Sequence, residues 1–172
     1  MKILVTDGDE RAALAATRSL GRRHDVIVVA REARSLAAAS RFARGGLAAP
    51  DPLRSIASFA QAISHIAREH GVQLVLPISD AACLALLGAR AALAPALVAG
   101  PTLAAFERVS DKAAMTDHAR ALGLGVPAGR VARLLDEAQG IAMEIGFPVV
   151  LKPVRSVSDA DRRLAVIRVE DA

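Results

Sequence analysis

The sequence has no tryptophan, no tyrosine, one cysteine, four phenylalanines, and three lysines against nineteen arginines. Each scarcity excludes something. A single thiol, Cys83, closes no internal disulfide and builds no cysteine metal cluster, and its setting among Ala81, Ala82, Leu84 and Ala85 suits a small buried hydrophobe. Four rings give bases little to stack on, and the basic residues are scattered among acids. The net charge of +4 and the pI near 10.2 therefore do not argue for a nucleic-acid partner. No apolar run approaches the ~20 residues of a membrane helix; residues 81–87 are followed at once by Gly88 and then Arg90. The amino terminus reaches Asp7 directly after its first apolar residues, which leaves no room for a signal-peptide core. No membrane partner and a cytoplasmic location are expected.

Catalytic signatures are also scarce. His65 and His70 stand five apart on one expected helix and diverge, where a metal pair wants the i, i+4 face. His24 and His118 read, like them, as solvated. There is no Gly-x-Ser-x-Gly elbow and no Gly-x-x-x-x-Gly-Lys-Ser/Thr phosphate loop. The turn Thr6-Asp7-Gly8-Asp9-Glu10 has one glycine where a dinucleotide fingerprint needs three, and its acids repel phosphate. It is expected to be a tight turn with Asp9 capping the next helix. An acidic turn of this kind, with Lys152-Pro153 later, superficially resembles a receiver domain, but Leu74-Val75-Leu76 runs into Pro77 where that family needs an aspartate.

What the chain does have is an alternation of strands and helices. Residues 2–6 read as a doubly covered central strand, 12–20 as a helix closed by Gly21, and 25–30 as a second strand. A short helix is expected at 35–43 and a weak third strand around Gly45-Gly46. Then follow an amphipathic helix at 55–70, a strand at 72–78, a helix at 80–87 and a short strand at 96–99. After the break at Gly100-Pro101, where a domain boundary is expected, two short helices at 102–108 and 111–122 follow. A strand opening at Val131, a helix at 135–145, an apolar strand at 147–152, a polar loop at 155–163 and a strand at 164–169 complete the pattern. This order predicts an α/β fold: a Rossmann-like domain with a parallel sheet over residues 1–100, and a partial α+β lobe over 101–172.

The bias toward arginine makes the internal lysines informative. Where either residue serves a solvated surface this sequence writes Arg, so Lys112 and Lys152 stand out as places that call for a compact, flexible ammonium. Ser110-Asp111-Lys112-Ala113 opens a helix that ends at Gly123-Leu124-Gly125-Val126-Pro127, and Gly146-Phe147-Pro148-Val149-Val150-Leu151-Lys152-Pro153 follows. These two stretches, with Pro77-Ile78-Ser79-Asp80 before them, resemble the ATP-grasp superfamily, as in biotin carboxylase and the carbamoyl phosphate synthetase large chain.

The resemblance implies a pre-ATP-grasp domain followed by the start of the ATP-grasp domain. It implies that Lys112 and Lys152 contact ATP. It also implies that the intact protein uses ATP and Mg2+ to activate a small-molecule carboxylate as an acyl phosphate for attack by an amine or thiol. Two departures matter. The loop after Lys152 has no glycine through Asp161, where many members carry a glycine-rich flap, and the lobe that carries the magnesium ligands is not among these 172 residues. The chain is therefore expected to be an inactive front portion of such a ligase, with an unfinished sheet edge that invites a homodimer. The alternative is a Rossmann-like module holding a small ligand near Asp7, Ser79 and Asp80 without ATP.

Overall fold

In a computed structural model, which describes residues 1–157 and 165–171, β1 (Lys2–Val5) is the most deeply covered strand. Ile3, Leu4 and Val5 are at most 1% exposed. Their alternation sends Ile3 and Val5 to one face and Leu4 to the other, so a strand apolar at every position needs a layer on each side. β2 (Asp25–Ala30) and β4 (Leu74–Leu76) flank it; β3 (Ala43–Ala48) and β5 (Leu97–Val98) are the edges. All neighbours pair in parallel, in the order β3-β2-β1-β4-β5. The layer over Ile3, Val5, Val26 and Val28 includes Ala13 of α1 (Arg11–Leu20). The other is supplied by α2 (Ile56–Glu69) and α3 (Asp80–Gly88), whose Phe59, Ile63 and Leu86 pack with Leu4 and Val75. The chain order reverses about β1, which opens a crevice at the carboxyl ends of β1 and β4.

The helix expected at 35–43 is absent; the segment forms turns. Its alanines favour a helix, but tertiary packing overrides that preference. Ala37 is fully buried and its amide donates to the Gly8 carbonyl at 2.8 Å, while Ala39, Ser40 and Ala43 amides close successive turns. Gly8 is required for this closure, since a Cβ there would lie 2.5 Å from Ser35 Oγ and 2.6 Å from Val28 Cγ1. Gly46 in β3 is required likewise: a Cβ would stand 2.0 Å from the Ala33 carbonyl oxygen. A 3₁₀ turn at Arg90–Leu93, not anticipated from the sequence, buries Leu93 under α2, where Ser64 Oγ donates to the Ala92 carbonyl at 2.7 Å.

The chain divides into two compact units, Met1–Phe106 and Glu107–Ala172, and the division falls inside α4 (Leu103–Ser110). The second unit holds α5 (Lys112–Ala121), α6 (Leu135–Ile145), β6 (Val149–Leu151) and β7 (Ile167–Val169). β6 and β7 pair antiparallel with Val149 opposite Val169 and Leu151 opposite Ile167. The strand expected to open at Val131 does not form: the Arg133 amide is committed to the Glu137 carboxylate at 2.8 Å, and the chain enters α6 instead. The expectations for residues 158–164, within the polar loop and the start of the last strand, lie outside the described residues. Neither α5 nor α6 buries a residue, and Leu134 and Leu135 are 73% and 74% exposed. Among the described residues no helix is long and apolar enough to cross a membrane.

Candidate functional site

Two places carry the polar groups singled out in the sequence. The first is the crevice at the end of β1. Asp7 adopts the left-handed conformation, φ 56°, which aspartate tolerates better than most residues. That turn aims its carboxylate across to the β4–α3 connection. Oδ2 accepts from the Thr6 hydroxyl, from the Ser79 amide at 3.0 Å and from the Ile78 amide at 3.3 Å; Oδ1 accepts from the Ser79 hydroxyl at 2.8 Å. Oδ2 thus takes three donors and Oδ1 one, and the Ile78 amide also reaches Thr6 Oγ1 at 3.1 Å. Asp7 is a clasp between two strand ends, with one acceptor site of Oδ1 left over. Ser79 Oγ also accepts from the Ala82 amide at 3.1 Å and so caps α3. Asp9 does not cap α1 as expected. The cap position falls on Glu10, whose side chain makes no cap bond, because the Asp7 turn is closed by the Glu10 amide to the Asp7 carbonyl at 2.8 Å.

The second place is the start of α5. Asp111 caps the helix by accepting from the Ala114 amide at 2.9 Å. The Lys112 amide donates to the Val154 carbonyl at 3.0 Å, Lys112 Nζ donates to Ser156 Oγ at 3.0 Å, and Arg155 Nε stands 3.9 Å from Asp111 Oδ2. Residues 154–156 are therefore stitched to the first turn of α5. Lys152 precedes Val154 by two residues, so its Cα lies no more than about 7 Å from that of Val154. The lysine at the end of β6 and the lysine at the start of α5 stand on one braced frame. Lys112 is half-buried; Lys152 is exposed and, among the described residues, has no hydrogen-bond or ion-pair partner. Among the described residues this frame carries three cations, Lys112, Lys152 and Arg155, and one carboxylate, Asp111, a balance that suits an anion. The scarcity of lysine marked both residues but not Ser156, because nothing in the sequence links position 156 to position 112.

The described residues contain no cluster of three His, Cys, Asp or Glu side chains that could hold a metal. His65 Nε2 faces Glu69 at 3.5 Å on an open surface and His118 is exposed. His24 departs from the solvated reading, since its Nδ1 is buried without a partner. Cys83 packs half-buried against the core, and burial, with lesser contributions from Asp80 and Asp7, pushes its thiol up to about 11. It is a poor nucleophile.

No protein-family model matches the sequence, and no curated protein matches it. Solved structures do. The chain is 17% identical to N5-carboxyaminoimidazole ribonucleotide synthetase from Thermotoga maritima, with a TM-score of 0.61 over 99% of this chain and 41% of that one. It is 20% identical to the biotin carboxylase domain of a single-chain bacterial carboxylase, with a TM-score of 0.59 over 98% and 37%. It is 22% identical to the biotin carboxylase domain of the Hydrogenobacter thermophilus 2-oxoglutarate carboxylase, solved with MgADP, ADP and bicarbonate, with a TM-score of 0.57 over 89% and 34%. The chain spans between a third and about two fifths of the length of these proteins, all ATP-grasp enzymes. A five-stranded parallel sheet with helices on both faces, continued by a second unit, is the fold of the amino-terminal part of ATP-grasp enzymes, and this chain has it.

Proposed function

We propose that this chain is the amino-terminal part of an ATP-grasp ligase, with residues 1–100 as the pre-ATP-grasp domain and 101–172 as the opening of the nucleotide-binding lobe. The observation that supports this reading is the loop after Lys152 bonded to the first turn of α5, the Lys112 amide donating to the Val154 carbonyl and Lys112 Nζ to Ser156 Oγ. Two ammonium groups on a frame of one helix start and one strand end suit the distributed charge of a polyphosphate. In the intact protein a carboxylate oxygen of the substrate attacks the γ-phosphorus of ATP and ADP leaves; an amine or thiol then attacks the acyl carbon and phosphate departs. Lys112 and Lys152 hold the phosphates in line while negative charge redistributes. Magnesium would supply the remaining charge neutralisation; among the described residues no group of three His, Cys, Asp or Glu side chains could hold it. This part alone does not catalyse. The competing module built around Asp7, Ser79 and Asp80 is less favoured, because the Asp7 carboxylate is engaged by donors of the chain itself, from Thr6, Ile78 and Ser79.

The test is phosphate release by the full-length protein with Mg-ATP and a panel of small carboxylates that includes bicarbonate. A carboxylate-dependent signal that falls at least tenfold in Lys152→Ala and in Lys112→Ala is expected. Turnover indifferent to both changes, or no turnover with any carboxylate, would overturn the reading. Self-association belongs to the same proposal: Val150, Leu151 and Ile167 are exposed on a two-stranded sheet, which is marginal without further cover. Light scattering that returns only monomer would remove that part.

A further inference from the structure

A hollow of about 410 Å3 opens in the first unit at the amino ends of β1 and β2, beside the end of α2. Its rim and floor are Lys2, Asp25, Ile27, Arg44, Leu47 and His70, with Gly45 and Gly46 between. It lies away from the carboxyl ends of the strands, where Asp7 clasps Ser79, and uses none of the residues assigned to ATP. Gly45 pairs with Ile27 across the sheet, and a Cβ on it would meet nothing within 4 Å, unlike Gly46, which is packed against Ala33. The hollow exists because a strand position that would ordinarily carry a covering side chain carries none.

Its charges are unequal. Arg44 Nε donates to Asp25 Oδ1 at 2.6 Å, which leaves the two NH2 groups of the guanidinium uncommitted. Lys2 Nζ donates to the His70 carbonyl at 2.5 Å and keeps two further N–H groups. Two cations with spare donors face one carboxylate, one oxygen of which Arg44 already holds. Beside them Ile27 and Leu47 are partly buried against the core, and the glycines bare their backbone. The volume falls within the range of about 300–1,000 Å3 usual for small-molecule sites.

We propose that this hollow binds a small organic anion, a carboxylate or phosphate ester with an apolar body, whose head group meets Arg44 and Lys2 and whose body covers Ile27, Gly45 and Leu47. Nothing in this depends on ATP use by the protein.

The experiment titrates benzoate, phenyl phosphate, inorganic phosphate and benzyl alcohol into the chain, with amide shifts read by NMR. Saturable binding of benzoate or phenyl phosphate, with shifts centred on Ile27 and residues 44–47, is expected. Inorganic phosphate and benzyl alcohol, which each lack one half of the ligand, should bind at least fivefold more weakly. Gly45→Leu fills the hollow and Arg44→Gln removes one cation at the surface; each should weaken binding at least tenfold. Should Gly45→Leu fail to fold, Arg44→Gln and Lys2→Gln decide alone. Shifts scattered over the surface, affinity unchanged in the folded variants, or inorganic phosphate binding as tightly as phenyl phosphate would overturn the proposal.

Discussion

Asp7 and Ser79 are joined twice: the Ser79 hydroxyl donates to one carboxylate oxygen at 2.8 Å and the Ser79 amide to the other at 3.0 Å. The clasp ties the end of β1 to the start of α3, across the crevice where the sheet order reverses. Asp7→Ala removes an acceptor from buried and half-buried amides and hydroxyls, at about 1–3 kcal/mol, and leaves the left-handed conformation without the short polar side chain that eases it, at about 1 kcal/mol more. Asp7→Asn keeps the conformational preference and half of the acceptor capacity, so it should cost less. Urea unfolding of Asp7→Ala, Ser79→Ala and the double variant measures this. The double change is expected to cost clearly less than the sum of the singles, because they share the hydroxyl–carboxylate hydrogen bond, while the Ser79 amide bond survives in Ser79→Ala. Strict additivity would mean that the hydroxyl bond contributes nothing.

Adjacent glycines in β3 should respond oppositely to the same change. Gly46→Ala drives a methyl to 2.0 Å from the Ala33 carbonyl oxygen, and backbone cannot yield as a side chain can. A loss at the upper end of the roughly 1–3 kcal/mol typical of overpacking is expected. Gly45→Ala meets open space and restricts the unfolded chain, so it should be neutral or stabilising by about 0.4–1 kcal/mol. Thermal melts of the two variants, compared side by side, would contradict this if they shifted together.

Those two glycines also mark what the sequence disclosed and what it hid. Ile3-Leu4-Val5 announced a doubly covered strand without help from any other segment, since apolar residues at every position can be buried only between two layers. Gly45-Gly46 looked like a weak strand in a loop, because the reason for Gly46 is a carbonyl thirteen positions away. The alanines at 35–43 misled in the same way: local propensity favoured helix, while the packing of Ala37 under Gly8 required turns. At the candidate site, Lys112 and Lys152 were visible through the chain's preference for arginine. The brace through Val154 and Ser156 was not, because contacts across a loop leave no periodic trace.

Cys83 should be silent to thiol reagents in the native state. Burial, then the charges of Asp80 and Asp7, raise its thiol from an ordinary 9.0 to about 11, and the attacking species is the thiolate. The sign follows from linkage. A fold that binds this proton more tightly than the unfolded chain keeps that contribution below the ordinary thiol value and loses it as pH rises through about 11. Ellman's reagent at pH 8 should therefore react far more slowly with native than with urea-unfolded protein. Cys83→Ala should flatten the decline in stability between pH 9 and 11. Rapid native labelling would show the thiol to be open.

The lysine assignment has its sharpest test in a conservative exchange. If Lys112 and Lys152 are only solvated charges, Lys→Arg at either is silent in a protein that carries nineteen arginines. If each ammonium meets a phosphate oxygen as a point charge, the broad planar guanidinium misfits a closed site. Losing one charge-assisted contact costs about 1.5–3 kcal/mol, which is roughly tenfold to over a hundredfold in ATP affinity or turnover. At position 112 the larger group must also displace Ser156, whose hydroxyl now holds the ammonium at 3.0 Å. Ser156→Ala separates the two effects: it frees the ammonium without altering charge, so it should change ATP use less than about threefold, while Lys112→Arg changes it at least tenfold. ATP consumption by full-length protein carrying each change, with folding verified by thermal melt, decides the matter. Wild-type consumption in both arginine variants would return Lys112 and Lys152 to the role of ordinary surface charges.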